Sequence, residues 1–221
     1  MIPKRDPAAA KGLNQVPQLP SSVSVDRLPV PEQLNLQRYN DLSWAMNLQR
    51  FPDLAWAFGS TARWDDYEVG ERLDHPDAMT IEEADHTQAT RLYHNTAQVH
   101  FDARGMGETK AGKRLVYGGH VISVATALAQ NGLNTQLKIA AWNGGAHVAP
   151  TFAGDTLRAF TQVVERGEIP HRRDVGALRL RLSAVKNVTN AELANVPPLL
   201  SGTKEPRIVL ELDYWALFPR R

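Results

Sequence analysis

The chain has 221 residues, no cysteine, 43% hydrophobic residues and a formal net charge of +1. This length suits one large domain or two small ones, and the absence of cysteine excludes a disulfide scaffold, thiolate metal sites and a cysteine nucleophile. The balanced charge argues against a dedicated nucleic-acid binder, and no apolar run approaches the length of about 18 residues that a membrane-spanning helix needs.

The N-terminal part differs in composition from the rest of the chain. Its first charged residues are not followed by an apolar stretch, so we expect no secretory signal. Six of the fourteen prolines fall in residues 1–33, and because proline fixes φ and lacks an N–H, this stretch should be extended. Residues 34–58 are rich in apolar side chains, which predicts short helices that break at Phe51-Pro52 and need a surface to cover. We therefore expect a Pro-rich linker with short apolar helices over residues 1–60 and a compact domain over residues 61–221.

Two helices are predicted in the first half of the compact domain. Thr80 and Glu83 have the spacing of a helix capping box, which predicts a helix that runs to about Tyr93. Further along, residues 118–120 (Gly-Gly-His) precede an apolar run that stops at Asn131-Gly132, where the glycine suits a helix end. Because this second helix is apolar on most sides, we expect it to be buried on most sides.

After the second helix the hydrophobic period changes from about 3.6 residues to 2, which predicts strands. Apolar and polar residues alternate over residues 178–183 and again over residues 208–215. Two further strands are predicted at residues 137–142 and 157–164, and residues 188–205 have the composition of a long surface loop. One buried helix wrapped by a curved antiparallel sheet is the economical arrangement of these elements, so we predict an α+β hotdog fold.

The segment 93–102, YHNTAQVHFD, resembles the active-site segment of the MaoC-like enoyl-CoA hydratases, which have a hotdog fold. His100 falls on the catalytic histidine of that family and Asp102 on its trailing aspartate. Asn95 stands where the family has its catalytic aspartate. The glycine turn that leads into the family's central helix falls on Gly118-Gly119.

Longer runs are similar to one branch of that family. The resemblance is to the C-terminal module of the mesaconyl-CoA hydratase (β-methylmalyl-CoA dehydratase) family. It rests on residues 91–101, 117–123, 152–156, 174–181 and 212–215. That family carries two hotdog modules in one chain, whereas the present chain has room for one. The resemblance therefore implies a MaoC-like hotdog domain at residues 61–221, and a second module that a separate polypeptide or a second copy supplies, unless the chain is a fragment.

Hydration of an enoyl thioester needs a base for water, an acid for the α-carbon and donors for the enolate oxygen. Backbone N–H groups at a helix N-terminus suit the last task, which points to Gly118-Gly119 and makes Gly119 a catalytic candidate. His100 is then the acid–base candidate, and Asn95, which cannot accept a proton at neutral pH, is expected to orient the water. A carboxylate, Asp102 or Asp85, could assist His100, although Asp102 is better suited to holding the local structure.

The candidate substrate-binding residues are Gly118, Tyr117, Arg91 and Asn143. Arg91 could bind the substrate carboxylate or the CoA phosphates, because a guanidinium makes bidentate contacts with such anions. Asn143 lies in a segment expected beside His100. The histidines lack metal-ligand spacing, so we expect no metal and no cofactor, the CoA thioester being the substrate.

By this resemblance the chain is expected to be a lyase that reversibly hydrates a branched, carboxylate-bearing enoyl-CoA, converting mesaconyl-CoA to β-methylmalyl-CoA. Two other functions stay open. Asn95 favours a non-catalytic module that binds acyl-CoA and supports a partner hotdog subunit. A hotdog thioesterase would need a carboxylate near the helix entry, and the sequence offers no obvious one there. We expect a cytoplasmic homodimer or hetero-oligomer that binds neither nucleic acid nor membrane.

Overall fold

The computed structural model describes residues 21–32, 62–199 and 205–220, and it has the predicted α+β hotdog arrangement of one long helix packed on an antiparallel sheet. The strands are β1 (Arg72–Thr80), β2 (Lys138–His147), β3 (Thr156–Glu168), β4 (Val175–Lys186) and β5 (Ile208–Pro219). The helices are α1 (Glu83–Leu92), α2 (Ala103–Gly107), α3 (Gly118–Leu133) and α4 (Asn190–Leu193). Single 3-10 turns span Val25–Arg27, Trp64–Asp66 and Gln98–His100.

All neighbouring strands are antiparallel, in the order β1-β3-β4-β5-β2. The four predicted strands are confirmed, and each extends beyond its predicted bounds. Strand β1 was not predicted from the sequence because it is an edge strand in which His75 is the one fully buried residue. Pro76 follows directly, and proline is tolerated on an edge strand that lacks a neighbour on one side.

Helix α3 packs one apolar face against β1, β3 and β4. Its buried residues are Val121, Val124, Ala125, Leu128, Ala129 and Leu133. The other face leaves Ser123, Ala127 and Gln130 exposed. The expectation that α3 is buried on most sides is therefore wrong, because small and polar side chains interrupt the apolar surface along this open face.

The regular part of α3 ends where the sequence predicts. Asn131 has a non-helical ψ of 96°, and Gly132 has a φ of 114°, a conformation that favours glycine. The Tyr67 hydroxyl donates a hydrogen bond to the Gly132 carbonyl (2.8 Å), and Nδ1–H of His75 donates to the Asn131 carbonyl (2.6 Å). Side chains from outside the helix therefore satisfy carbonyls that its end leaves unpaired.

The capping box predicted at Thr80 does not form. Thr80 is the last residue of β1, and its hydroxyl lies 2.8 Å from that of Thr156 on β3, as a cross-strand pair. Helix α1 begins at Glu83 without a side-chain cap and ends next to Tyr93, close to the predicted end. Thr80 is therefore part of a strand pair and cannot cap the helix, and a local sequence pattern does not reveal strand pairing.

Residues 21–32 form an extended segment on the sheet, which we call the N-terminal strap. Leu28 is buried in a cluster with Val175 and Trp215, and the Trp215 indole N–H donates to the Val23 carbonyl (2.8 Å). The extended conformation agrees with the proline content, whereas the docking on the sheet was not foreseen. The rest of the linker and helices predicted for residues 1–60 lies outside the described residues.

Residues 188–199, predicted as part of a surface loop, contribute to the core. Helix α4 has a capping box in which the Thr189 hydroxyl accepts from the Glu192 N–H. Leu193 and Val196 pack with Phe160 of β3 in a separate buried cluster. The prediction of a surface loop is therefore wrong for these two anchor residues, which lack the periodicity of a long element.

Candidate active site

A cavity of about 210 Å³ lies at the N-terminal end of α3. Its walls come from the 3-10 turn Gln98–His100, the segment before α3, the first turn of α3, and the end of β2 with the loop that follows. The lining residues are His100, Leu115, Val116, Gly118, Val121, His147, Ala149, Pro150 and Thr151. Most of these walls are apolar, so the two imidazoles are the groups that can transfer protons there.

Hydrogen bonds hold His100 in a defined orientation at this cavity. Its backbone N–H donates to the Ala97 carbonyl (3.0 Å), and the ring Nδ1 lies 3.1 Å from the carbonyl oxygen of Leu115. A carbonyl oxygen can only accept, so Nδ1 carries the proton and Nε2 of the neutral ring has the free electron pair. The Tyr117 ring packs edge-on against the imidazole, with 5.9 Å between centroids. Nε2 is thus the basic atom of His100.

The first turn of α3 presents backbone donors beside His100. Tyr117 is the N-cap residue and its side chain makes no capping hydrogen bond. The N–H groups of His120 and Val121 donate to the Tyr117 carbonyl, whereas the preceding N–H groups, of Gly118 and Gly119, have no helical acceptor. Gly118 lines the cavity. Gly119 lies under the Tyr117 ring, and a β-carbon added to Gly119 would be 2.6 Å from atoms of that ring. A negative oxygen at this end would be stabilised by the free donors and the helix dipole.

Asn95 lies outside the residues that line the cavity. Its side-chain oxygen accepts the Ala97 N–H (2.8 Å), which forms a turn immediately before the 3-10 turn of His100. Its own N–H donates to the Thr90 carbonyl at the end of α1 (3.0 Å). The structure therefore ties Asn95 to the shape of the His100 loop, while the water-orienting role predicted for it stays a prediction.

The two carboxylates considered as helpers of His100 have other surroundings. Asp102 is the N-cap of α2 and accepts hydrogen bonds from the Gly105 N–H (2.9 Å) and the Gln98 side-chain amide (2.7 Å). These bonds hold the pKa of Asp102 below its usual range, led by the one from Gly105. Asp85 is exposed on α1. Neither lines the cavity.

The predicted substrate-binding residues are only partly brought together. Gly118 lines the cavity, and Tyr117, which is not a lining residue, packs its ring against His100. Arg91 is exposed in the last turn of α1. Asn143 is not at the cavity, because its amide is committed elsewhere: its oxygen accepts the Val23 N–H (2.8 Å) and its nitrogen donates to Asp213 (2.7 Å). Asn143 thus fastens the N-terminal strap to the sheet.

His147, the last residue of β2, is a cavity residue that the sequence analysis did not select. His147 is exposed by its overall accessible surface, but partial desolvation of its ring and, to a lesser degree, the nearby His100 lower the pKa of His147 below its ordinary value. No local motif marks it, because its position depends on the pairing of β2 with β5, where His147 lies opposite Leu210. The one available clue was that it is a histidine shortly before the Gly-Asp-Thr run.

A different histidine, the fully buried His86 on α1, lies within electrostatic range of His100. Burial, followed by His100, lowers the pKa of His86. Neither ring nitrogen has a hydrogen-bond partner within the described ranges, although Nε2 lies 3.4 Å from a carboxylate oxygen of Glu83. Glu83 also forms an ion pair with Arg114. The guanidinium of Arg114, which could otherwise bind an anion, is therefore already paired with a carboxylate.

Two absences apply to the part of the chain that the structure covers. Among residues 21–32, 62–199 and 205–220, no three histidine, aspartate or glutamate side chains come together as a metal site. No helix within these same ranges has the length and apolar character needed to cross a membrane.

The chain is similar to proteins of known function. A family model described as mesaconyl-CoA hydratase matches residues 1–208. The chain belongs to the mesaconyl-CoA hydratase family. It is 46% identical over 221 residues to the β-methylmalyl-CoA dehydratase of Chloroflexus aurantiacus and 45% identical over 220 residues to the mesaconyl-CoA hydratase of Cereibacter sphaeroides. Each alignment covers 100% of this chain but 58% of the relative, so the chain spans little more than half of their length.

Solved structures agree with this family membership. A MaoC domain protein dehydratase from Chloroflexus aurantiacus superposes with a TM-score of 0.78 at 44% identity, over 99% of this chain and 57% of that one. A MaoC-like dehydratase from Rhodospirillum rubrum superposes with a TM-score of 0.57 at 18% identity, over 72% of this chain and 98% of that one. The second likeness concerns the hotdog fold alone.

Proposed function

We propose that this chain carries the active site of an enoyl-CoA hydratase, and that it interconverts mesaconyl-CoA and β-methylmalyl-CoA. The observation that carries the proposal is the position of His100, whose Nδ1–H is anchored by the Leu115 carbonyl at a cavity that the N-terminus of α3 also lines. The names of the two relatives support the choice of acyl group.

In the proposed reaction, Nε2 of neutral His100 takes a proton from water as the water oxygen bonds to the β-carbon of the enoyl thioester. The electrons of the double bond then move onto the thioester carbonyl. The N–H groups of Gly118 and Gly119 stabilise the resulting enolate oxygen, and in other enzymes the loss of one such donor costs about 10²–10³ in turnover. Protonation of the α-carbon completes the hydration.

The proposal also covers the substrate class, a substrate-binding residue and the cellular location. The substrate is a CoA thioester, and the steps above use water and this chain's own residues, without a cofactor. Arg91 is proposed to meet the substrate carboxylate or the CoA phosphates, since its guanidinium is exposed in the turn of α1 that precedes the His100 loop. The cysteine-free composition supports a cytoplasmic location.

We also propose that a second hotdog module, from another copy or another polypeptide, docks beside α3. Two features support this. A groove of about 310 Å³ runs between α3 and β2 and includes Ile122, Thr126 and the half-exposed Trp142. Among the described residues, β2 is also an edge strand, and no described strand pairs with its outer side. We further propose a domain boundary near residue 60, between the N-terminal segment and the hotdog domain.

The test of the function follows the absorbance of the enoyl-thioester band. The purified chain is mixed with mesaconyl-CoA and, in parallel, with crotonyl-CoA, which lacks the carboxylate and the branch. We expect the band to decline with mesaconyl-CoA. Tight binding of mesaconyl-CoA without any decline, with and without co-purifying proteins, would contradict the hydratase and favour an acyl-CoA-binding module, the function that Asn95 in place of an aspartate supports.

A further inference from the structure

His147 faces the same small cavity as His100 but comes from a different part of the fold. His100 is on the 3-10 turn before α2, whereas His147 ends strand β2. Nε2 of His147 approaches the start of α3 so closely that a β-carbon on Gly118 would lie 2.6 Å from it. Within the described ranges, no hydrogen-bond partner holds this imidazole, so the ring is available to a molecule in the cavity.

The proposed reaction contains two proton transfers, and a second group beside His100 would let each group carry out one of them. Water must lose a proton and the α-carbon must gain one, and the two atoms belong to different molecules. Asn95 cannot exchange a proton at neutral pH, the oxygens of Asp102 accept hydrogen bonds in the cap of α2, and Asp85 is exposed. Of the cavity-lining residues, His100 and His147 are the ones whose side chains can act as acid and base in such a step.

We propose that His147 is a catalytic residue that exchanges the α-carbon proton, and that it works as an acid–base pair with His100. This inference rests on the function proposed above. In the dehydration direction, neutral Nε2 of His147 removes the α-proton and the electrons form the carbon–carbon double bond. Protonated His100 gives its Nε2 proton to the hydroxyl group, which leaves as water. Hydration runs through the same steps in reverse, and solvent exchanges the proton between the two rings after each turnover.

The electrostatic surroundings suit this division of roles in the dehydration direction. Partial desolvation and the neighbouring His100 lower the pKa of His147, so the ring is neutral near pH 7 and can accept the α-proton. When the two histidines together hold one proton, the lowered pKa of His147 disfavours the form in which His147 carries that proton. Other ionisable side chains on the adjoining elements are His120 on α3, Glu211 on β5, and the ion pair of Lys186 with Asp155.

The test compares His147→Gln with the wild-type chain and with His171→Asn. His171 is a matched control because it is an exposed histidine in the β3–β4 hairpin with a φ of 63°, a conformation that asparagine tolerates. In wild type, kcat/KM should fall at both low and high pH, because one histidine must be neutral and the other protonated. His147→Gln should lower kcat by about 10²–10⁴ with a much smaller change in KM, and should remove one limb of the pH profile.

The possible outcomes distinguish a failure of the role proposed for His147 from a failure of the proposed hydratase activity. An active wild type together with a His147→Gln variant that keeps its kcat and both limbs of the pH profile would overturn the assignment of His147 alone. A wild type that converts neither mesaconyl-CoA nor crotonyl-CoA would overturn both proposals. A fall in kcat of equal size in His171→Asn would also overturn the assignment, because it would trace the loss to histidine replacement in general.

Discussion

At the scale of single residues, a backbone carbonyl fixes the orientation of the His100 ring. Its Nδ1–H is tied to the Leu115 carbonyl, so proton transfer is left to Nε2. The resemblance selected His100 and Gly118, which both line the cavity, because both lie in short segments with fixed spacing. His147 and Asn143 could not be assigned in this way. The pairing of β2 with β5 places the first at the cavity and the second against Asp213.

Gly118→Ala tests how closely the cavity is built around the N-terminus of α3. The new β-carbon would lie 2.6 Å from Nε2 of His147, so the imidazole must turn away. We expect kcat to fall by about 10-fold or more, because a misplacement of about 1 Å in an active site can cost about 100-fold. The melting temperature should change little, since a histidine ring can move. Gly107→Ala is the control, because a β-carbon there meets nothing within 4 Å. An unchanged kcat in Gly118→Ala would contradict this geometry.

At the scale of elements, hydrophobic alternation predicted β4 and β5, and residues 157–164 and 137–142 were correctly predicted as two further strands, β3 and β2. Strands β3, β4 and β5 are interior and well buried, whereas β2 is an edge strand without a fully buried residue. Strand β1 escaped prediction since its pattern is polar and a shift of register interrupts it between His75 and Met79. The N-terminal strap escaped because extended Pro-containing segments have no period from which docking can be predicted. The position of the strap is determined by its burial against the sheet, where it contacts Val175 and Trp215, two residues far along the chain.

Leu28→Ala tests whether the N-terminal strap is part of the folded domain. Leu28 is 7% exposed against the sheet, so truncating it should lower the free energy of unfolding by about 2–4 kcal/mol, measured by urea denaturation. Val69→Ala is the control, because its side chain is 61% exposed and its loss should cost less than about 0.5 kcal/mol. Equal stabilities for the two variants would mean that the strap contributes no more than a surface residue does.

At the scale of the whole molecule, buried histidines couple stability to pH. Burial lowers the pKa of His75 and of His86 in the folded chain. As pH falls below about 6.5, the unfolded chain binds protons that the folded chain does not, so the free energy of unfolding must decrease. His75→Gln should be less stable than wild type at about pH 7.5 but should lose less stability on acidification to about pH 5.5. Parallel curves for the two proteins, from denaturation at each pH, would contradict a role for His75.

The open face of α3 leads to a prediction about assembly. If a second module covers this face, a large charged side chain at the exposed Ala127 should prevent association without unfolding the domain. Light scattering on the wild-type chain, with any co-purifying module, should give at least twice the mass of one chain, and Ala127→Arg should give a single-chain mass. Gln88→Arg, an exposed substitution on α1, is the control. A monomeric wild type with no bound partner would contradict the docking proposal.

The most direct measurement compares turnover of mesaconyl-CoA by the wild-type chain and by His100→Gln, with circular dichroism to show that both are folded. We expect wild type to consume the enoyl band and His100→Gln to be slower by about 10²–10⁴, the usual contribution of a general acid–base group. A folded His100→Gln variant that turns over mesaconyl-CoA at the wild-type rate would contradict this expectation.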